Sequence, residues 1–172
     1  GSADGAGTPA SFRQPQGVAI DSSGNLYVAD TANSLIRKIT ADGTVSTLAG
    51  STSHQGYQDG TGTNAWFNLP AGIAIDNSGT LYIADTGNSV VRKITSTGAV
   101  TTLAGTAGTR GSADGTGATA QFNQPGAIAG DASGTVFVAD SLNHTIRKIS
   151  SAGTVITWAG LAGVTGISDG TG

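Results

Sequence analysis

Two short apolar runs joined by a polar turn recur three times along this chain. Residues 26–40 read LYVADTANSLIRKIT, and the copies at 81–95 and 136–150 read LYIADTGNSVVRKIT and VFVADSLNHTIRKIS. Equivalent positions lie 55 residues apart, and nothing is inserted or deleted between the copies. Apolar runs of this length on either side of a turn are typical of a β-hairpin. The fixed period predicts an array of similar structural units.

Each period contains four candidate strands separated by turn residues. In the first period these are residues 18–21, 26–30, 35–40 and 45–49. Asp21 and Gly24 predict a tight turn, because the carboxylate bonds the backbone ahead of it and glycine accepts a positive φ. The next turn includes an asparagine, a residue that tolerates the left-handed region. This asparagine recurs as Asn33, Asn88 and Asn143.

The second strand of each period is apolar on both faces, which predicts a neighbour on each side. Four-stranded antiparallel sheets packed radially meet that requirement, so the predicted fold is an all-β propeller with three four-stranded blades per chain. The blade strands are expected at about 17–50, 72–105 and 127–160, in a single repeat array over 1–172. Each blade is preceded by an Asp-Gly segment, and a fourth such segment at 166–172 repeats residues 1–7.

Composition supports an all-β chain and argues against several partners. Of the 172 residues, 28 are glycine, and all eleven acidic residues are aspartate. A net charge of −3 with only eight lysines and arginines leaves no basic stripe for nucleic acid. Cysteine is absent, which excludes disulfides and thiolate metal ligands. No apolar run is long enough to span a bilayer. We therefore expect neither a nucleic-acid nor a membrane partner.

The repeated motif resembles a known family. The pattern QPxGVAxDxSGxLYVADTxNxxIRKI, followed by an Asp-Gly-rich connection, is similar to the NHL repeat and covers essentially the whole chain in three copies. The resemblance implies a β-propeller of about six blades. The third copy departs from the pattern, because Gly130 replaces an isoleucine and the sequence PGAI shifts the glycine found in PQGV and PAGI.

Three blades of a six-bladed geometry would leave two apolar faces bare. We therefore predict a homodimer that closes a six-bladed ring, in which the third blade of each copy packs on the first blade of the other. One terminal Asp-Gly segment, either 1–7 or 166–172, is then redundant and expected to be frayed. The alternative is a fragment of a longer chain that carries six repeats.

An aspartate and an arginine recur in every hairpin. A turn at residues 31–34 places Asp30 and Arg37 diagonally on one sheet face, where the long arginine side chain reaches the carboxylate. We interpret these pairs as structural clamps of the hairpin, in preference to a ring of carboxylates that binds a ligand. The pairs are Asp30 with Arg37, Asp85 with Arg92, and Asp140 with Arg147.

No other constellation predicts catalysis. His54 and His144 occupy different repeat positions, which does not define a metal site. Each Asp-Gly segment has one carboxylate and no glutamate, so it fits a weak calcium site at best. We therefore expect no catalytic, cofactor or metal residues, and a non-catalytic scaffold that binds itself and a protein or small polar ligand on the ring face. The alternatives are a metal-dependent enzyme similar to the lactonases or lyases among propellers, and a fragment without an independent function.

Overall fold

A computed structural model describes residues 1–166, which form three antiparallel sheets of five strands each. The first sheet contains β1 (Gly5–Ala6), β2 (Pro15–Ile20), β3 (Leu26–Asp30), β4 (Leu35–Ile39) and β5 (Thr44–Gly50). The second contains β6 (Gly60–Thr61), β7 (Pro70–Ile75), β8 (Leu81–Asp85), β9 (Val90–Ile94) and β10 (Ala99–Ala104). The third contains β11 (Gly115–Thr116), β12 (Pro125–Gly130), β13 (Val136–Asp140), β14 (Thr145–Ile149) and β15 (Thr154–Ala159).

Short 3₁₀ helices complete the secondary structure of the described residues. They are Thr31–Asn33, Gly62–Asn64, Thr86–Asn88, Gly117–Thr119 and Ser141–Asn143. Between residues 1 and 166, no helix has the length and apolar character needed to cross a membrane.

The prediction of four strands per blade is wrong by one short outer strand. Four long strands form a meander, and the two-residue strand β1 pairs antiparallel with the outer strand β5. The glycine of the first Asp-Gly segment and the next residue lie beside the free edge of β5 and pair with it. Residues 1–7 are therefore tied to the first blade. The predicted redundancy of 166–172 falls largely on 167–172, outside the described residues.

The hairpin register agrees with the sequence prediction. Asp30 lies opposite Leu35, and Val28 lies opposite Arg37. The central blade has the same register, with Asp85 opposite Val90. The turn carboxylates also act as predicted, since Asp21 Oδ1 accepts hydrogen bonds from the backbone N–H groups of residues 23 and 25, each at 2.9 Å. Gly24 adopts a φ of 80°. These local features follow from two-residue periodicity and turn chemistry.

The asparagine of the second turn tolerates the left-handed conformation but does not adopt it. That position belongs to the residue after the asparagine, with φ values of 56°, 57° and 59° at Ser34, Ser89 and His144. The asparagine closes the 3₁₀ helix instead, because its side-chain amide is engaged by the clamp carboxylate three residues earlier.

The sheets pack face to face, and two apolar cores fill the spaces between them. The first core joins Ala29 and Ile36 of the first sheet to Ile73 and Ile83 of the second. The second core joins the second sheet to the third, through Val91 and Val138 among others. Strand β8, which lies between the two cores, is buried along its whole length. The inner strands β2, β7 and β12 lie side by side.

Candidate functional site

The aspartate and arginine of the central hairpin form a fully buried ion pair. Arg92 Nη1 donates to Asp85 Oδ2 at 3.0 Å, and neither side chain is exposed to solvent. The other carboxylate oxygen accepts the backbone N–H of Asn68 at 2.8 Å, and the Asn88 amide donates to Oδ2 at 2.7 Å. The arginine also lies over the Phe67 ring, with its guanidinium carbon 5.2 Å from the ring centroid. The pair thus joins the hairpin to the segment that leads into the blade.

The same arrangement occurs in the outer blades. The Nη1 to Oδ2 distance is 3.0 Å between Arg37 and Asp30 and 2.9 Å between Arg147 and Asp140. Asn33 and Asn143 donate to these carboxylates at 2.8 and 2.7 Å. The structure therefore brings together all nine residues that the sequence singled out, in three equivalent clusters.

A second carboxylate on each arginine was missed by the sequence analysis. Arg92 Nη2 donates to Asp59 Oδ1 at 2.7 Å, and the equivalent partners are Asp4 for Arg37 and Asp114 for Arg147. These aspartates belong to the Asp-Gly segments, and about half of each side chain remains exposed. Each of these aspartates lies the same number of positions before its arginine. This constant spacing is a sequence signal for a second partner, because one guanidinium has more donors than a single carboxylate accepts.

The clusters have little capacity for chemistry. Each inner carboxylate is saturated by a backbone N–H, an amide and a guanidinium, and arginine does not release its proton at accessible pH. The Asp-Gly carboxylates face a permanent cation, which competes with any metal ion for them. In residues 1–166, no three histidine, cysteine or acidic side chains are grouped so that they could hold a metal.

Burial raises the pKa of Asp85 to about 6, although its hydrogen bonds and the Arg92 charge favour the ionised form. A raised carboxyl pKa means that the folded chain holds this proton more tightly than the unfolded chain does. The contribution of this group to stability is therefore complete at low pH and declines as the pH rises through about 6. At neutral pH the carboxylate is ionised and paired with Arg92.

The turn aspartates contribute to stability with the opposite pH dependence. Side-chain hydrogen bonds from Asn25 and Ser133, together with backbone N–H groups, lower the pKa values of Asp21 and Asp131 below 3.8. Their contribution is complete above the unfolded value and is lost as the pH falls through the lowered folded-state values. Between about pH 5 and about pH 3 the turn aspartates lower the urea midpoint as the pH falls, while Asp85 raises it, so we expect Asp131→Asn to show a smaller drop or a larger rise than the wild type. Identical pH profiles for the two chains would contradict the assignment.

The two histidines lie in different parts of the array. The His54 ring stacks on Trp66 with a centroid distance of 4.6 Å, in the connection between the first and second blades. His144 follows the 3₁₀ helix of the third blade and is exposed. The two histidines therefore belong to different elements of the array.

The inner strands line an open groove at the centre of the array. Its walls are formed by residues 16–18, 71–73 and 126–128. These residues are glycine, alanine, valine, isoleucine and a single glutamine, and none has an ionisable side chain. The groove therefore offers close backbone approach and apolar surface, without an acid, a base or a nucleophile from its lining.

The outward faces of the first and third blades are apolar, and the described residues leave them uncovered. On the first blade, Val18 and Ile20 are 62% and 61% exposed. On the third blade, Trp158 is 51% exposed and contacts the Phe137 ring edge-on. Ile146 and Ile156 of the same face are also exposed. We refer to these surfaces as the first-blade face and the third-blade face.

Three twisted antiparallel sheets packed face to face, with their inner strands around a common groove, define a β-propeller protein. The NHL repeat pattern matches residues 12–39 and 67–94, which are the first hairpins and inner strands of the first two blades. NHL repeat-containing protein 2 from Homo sapiens is 33% identical over 151 residues, covering 80% of this chain and 21% of that protein. The chain belongs to the NHL-repeat family.

Solved structures share the same fold. A protein of unknown function from Bacteroides thetaiotaomicron is 35% identical, with a TM-score of 0.68 over 73% of this chain and 32% of that one. An auxiliary nutrient binding protein from the same species is 26% identical, with a TM-score of 0.69 over 76% of this chain and 36% of that one. The chain thus spans about a fifth of the human relative and about a third of each solved chain.

Enzymes also occur among the proteins that share this fold. A gluconolactonase from Xanthomonas campestris is 15% identical, with a TM-score of 0.62 over 87% of this chain and 48% of that one. At this identity the likeness concerns the fold alone.

Proposed function

We propose that this chain is a non-catalytic propeller scaffold that assembles with a second copy of itself through its two open blade faces. One observation carries the proposal. Neighbouring blades form the same kind of interface twice within the chain, and the two open faces correspond to the two sides of that interface. The first-blade face has the repeat positions that Ile73 and Ile83 occupy in the first core, and the third-blade face has those of Ala29 and Ile36.

A hydrogen bond crosses each internal interface, and the open faces carry the equivalent donor and the equivalent acceptor. Thr31 Oγ1 donates to the Pro70 carbonyl oxygen at 2.7 Å, and Thr86 Oγ1 donates to that of Pro125 at the same distance. The equivalent hydroxyl of the third blade belongs to Ser141, which is exposed, and the equivalent carbonyl belongs to Pro15. A second copy would supply each half with its missing partner. The matching positions favour a second copy over an unrelated protein.

Two features support a role without catalysis. The buried carboxylates are fully occupied by structural hydrogen bonds, as the Asp85 cluster illustrates. The central groove is lined by side chains that do not ionise. With two copies, the ring would consist of six similar blades. A protein or small polar ligand could bind on the face of this ring.

The mass of the chain in solution tests this proposal. We expect sedimentation equilibrium to give twice the mass of one chain, and Trp158→Asn to weaken the association by at least about 30-fold, as for a central aromatic at an interface. Leu69→Gln is the matched control, because it removes an apolar side chain that is 44% exposed and restores the residue found at Gln14 and Gln124. A wild-type chain that stays monomeric would refute the proposed assembly.

A further inference from the structure

The inner strands of neighbouring blades approach so closely that a side chain is excluded at one position. A methyl group on Gly17 would overlap the carbonyl oxygen of Ala71 and lie 3.1 Å from the backbone nitrogen of Ile73. A methyl group on Gly72 would overlap the carbonyl oxygen of Gly126 and lie 2.9 Å from the nitrogen of Ile128. Neither glycine has a positive φ, so the spacing between the strands is what demands glycine here.

The third blade has an alanine at this position. Ala127 lies 55 residues after Gly72 and is exposed, since residues 1–166 place no blade beside it. The glycine of this strand lies one residue earlier, at Gly126, where an added methyl group would meet the Ser141 hydroxyl of its own blade at 3.0 Å. Gly126 therefore does not replace the missing glycine, because a methyl group there would meet a side chain of its own blade.

In the proposed assembly, Ala127 faces the first blade of the second copy. By the 55-residue equivalence, the atoms opposite its methyl group are the carbonyl oxygen of Gln16 and the backbone nitrogen of Val18. At the two interfaces within the chain, the matching backbone atoms lie so close that a methyl group at this position would overlap them. The third blade therefore cannot approach a first blade as closely as the first blade approaches the second.

We infer that Ala127 determines the spacing and strength of the contact between copies. This inference rests on the proposed function, and it specifies that the contact between copies is wider at the inner strands than the contacts within a copy. The wider spacing weakens association, because the inner-strand atoms lose van der Waals contact and the hydrogen bond from Ser141 to Pro15 lengthens. The residue thereby limits how tightly the third-blade face accepts an identical chain.

Ala127→Gly tests the inference by restoring the glycine of the internal interfaces. We expect it to lower the dissociation constant of the dimer by about tenfold or more, measured by sedimentation velocity over a dilution series. Ala127→Val should raise the dissociation constant, and at a dilution where both chains are monomeric its unfolding temperature should match that of the wild type, because the site is exposed in the single chain. Ala71→Gly is the matched control, since it makes the same change on an inner strand at a position where the third repeat has Gly126.

The outcomes separate this inference from the proposed assembly. Equal association of the wild-type, Ala127→Gly and Ala127→Val chains, whether all dimeric or all monomeric, would overturn the role of Ala127. A monomeric wild type together with a dimeric Ala127→Gly variant would support that role while refuting the dimer as the natural state. Tightening by Ala71→Gly equal to that of Ala127→Gly would also overturn it.

Discussion

Replacing Arg92 with methionine is expected to lower the free energy of unfolding by about 3–5 kcal/mol. The substitution keeps much of the side-chain volume but leaves the fully buried Asp85 without its counter-charge. It also removes the donor for the backbone carbonyl oxygens of Trp66 and Gln58, at 3.1 and 2.9 Å. The loss is large because an unpaired carboxyl group remains where neither side chain is exposed to solvent.

Urea denaturation of Arg92→Met and of the control Lys93→Met measures this effect. Lys93 is the next residue on the same strand and is only half-buried, so we expect its replacement to change stability by less than about 1 kcal/mol. The double variant Arg92→Met with Asp85→Leu should recover part of the loss, because an apolar pair can replace a buried ion pair. Equal effects of the two single substitutions would contradict the structural role of the clamp.

Replacing Gly72 with alanine is expected to destabilise the folded chain by about 1–3 kcal/mol or more. The added methyl group would overlap the carbonyl oxygen of Gly126 on the adjacent inner strand. The nearest atoms belong to the backbone and cannot move aside as the end of a flexible side chain would. The second and third blades would therefore have to separate. That separation would loosen the apolar core between them.

Gly130→Ala serves as the control for this substitution. A methyl group at Gly130 would lie 3.4 Å from Val136 Cγ1 and 3.5 Å from Ala74 Cβ, which is ordinary contact. We expect Gly130→Ala to be neutral or slightly stabilising, by up to about 1 kcal/mol, since it reduces the freedom of the unfolded chain. Similar unfolding midpoints for Gly72→Ala and Gly130→Ala would show that the inner strands adapt and that close approach does not require Gly72.

These two predictions draw on different levels of information. The partnership of Asp85 with Arg92 could be predicted from the sequence, because hairpin register places them diagonally on one face. The participation of Asp59 left only one sequence signal, its constant spacing of 33 positions before the arginine, because the path of the entering segment decides whether it reaches the guanidinium. The fifth strand was missed because a two-residue strand such as Gly60–Thr61 has no periodicity to detect.

The requirement for glycine at Gly72 is a tertiary property as well. The sequence showed that the third copy shifts its glycine, but the meaning of the shift depends on which strand lies opposite. Only the packed array reveals that Gly17 and Gly72 face a neighbouring backbone while Ala127 faces open space. The backbone conformation of Asn88 also depends on the packed structure. The buried Asp85 carboxylate accepts a hydrogen bond from its amide, and Ser89 adopts the left-handed conformation instead.

The sequence by itself determined the repeat period, the strands of each hairpin, their register and the pairing of aspartate with arginine. Each of these depends on residues within one hairpin, where alternation and turn chemistry act over a few positions. The tertiary structure decided which distant carboxylates share each arginine, how closely the blades approach and which faces stay open. Those features depend on distances between segments that lie at least 33 residues apart along the chain, and no local pattern encodes such distances.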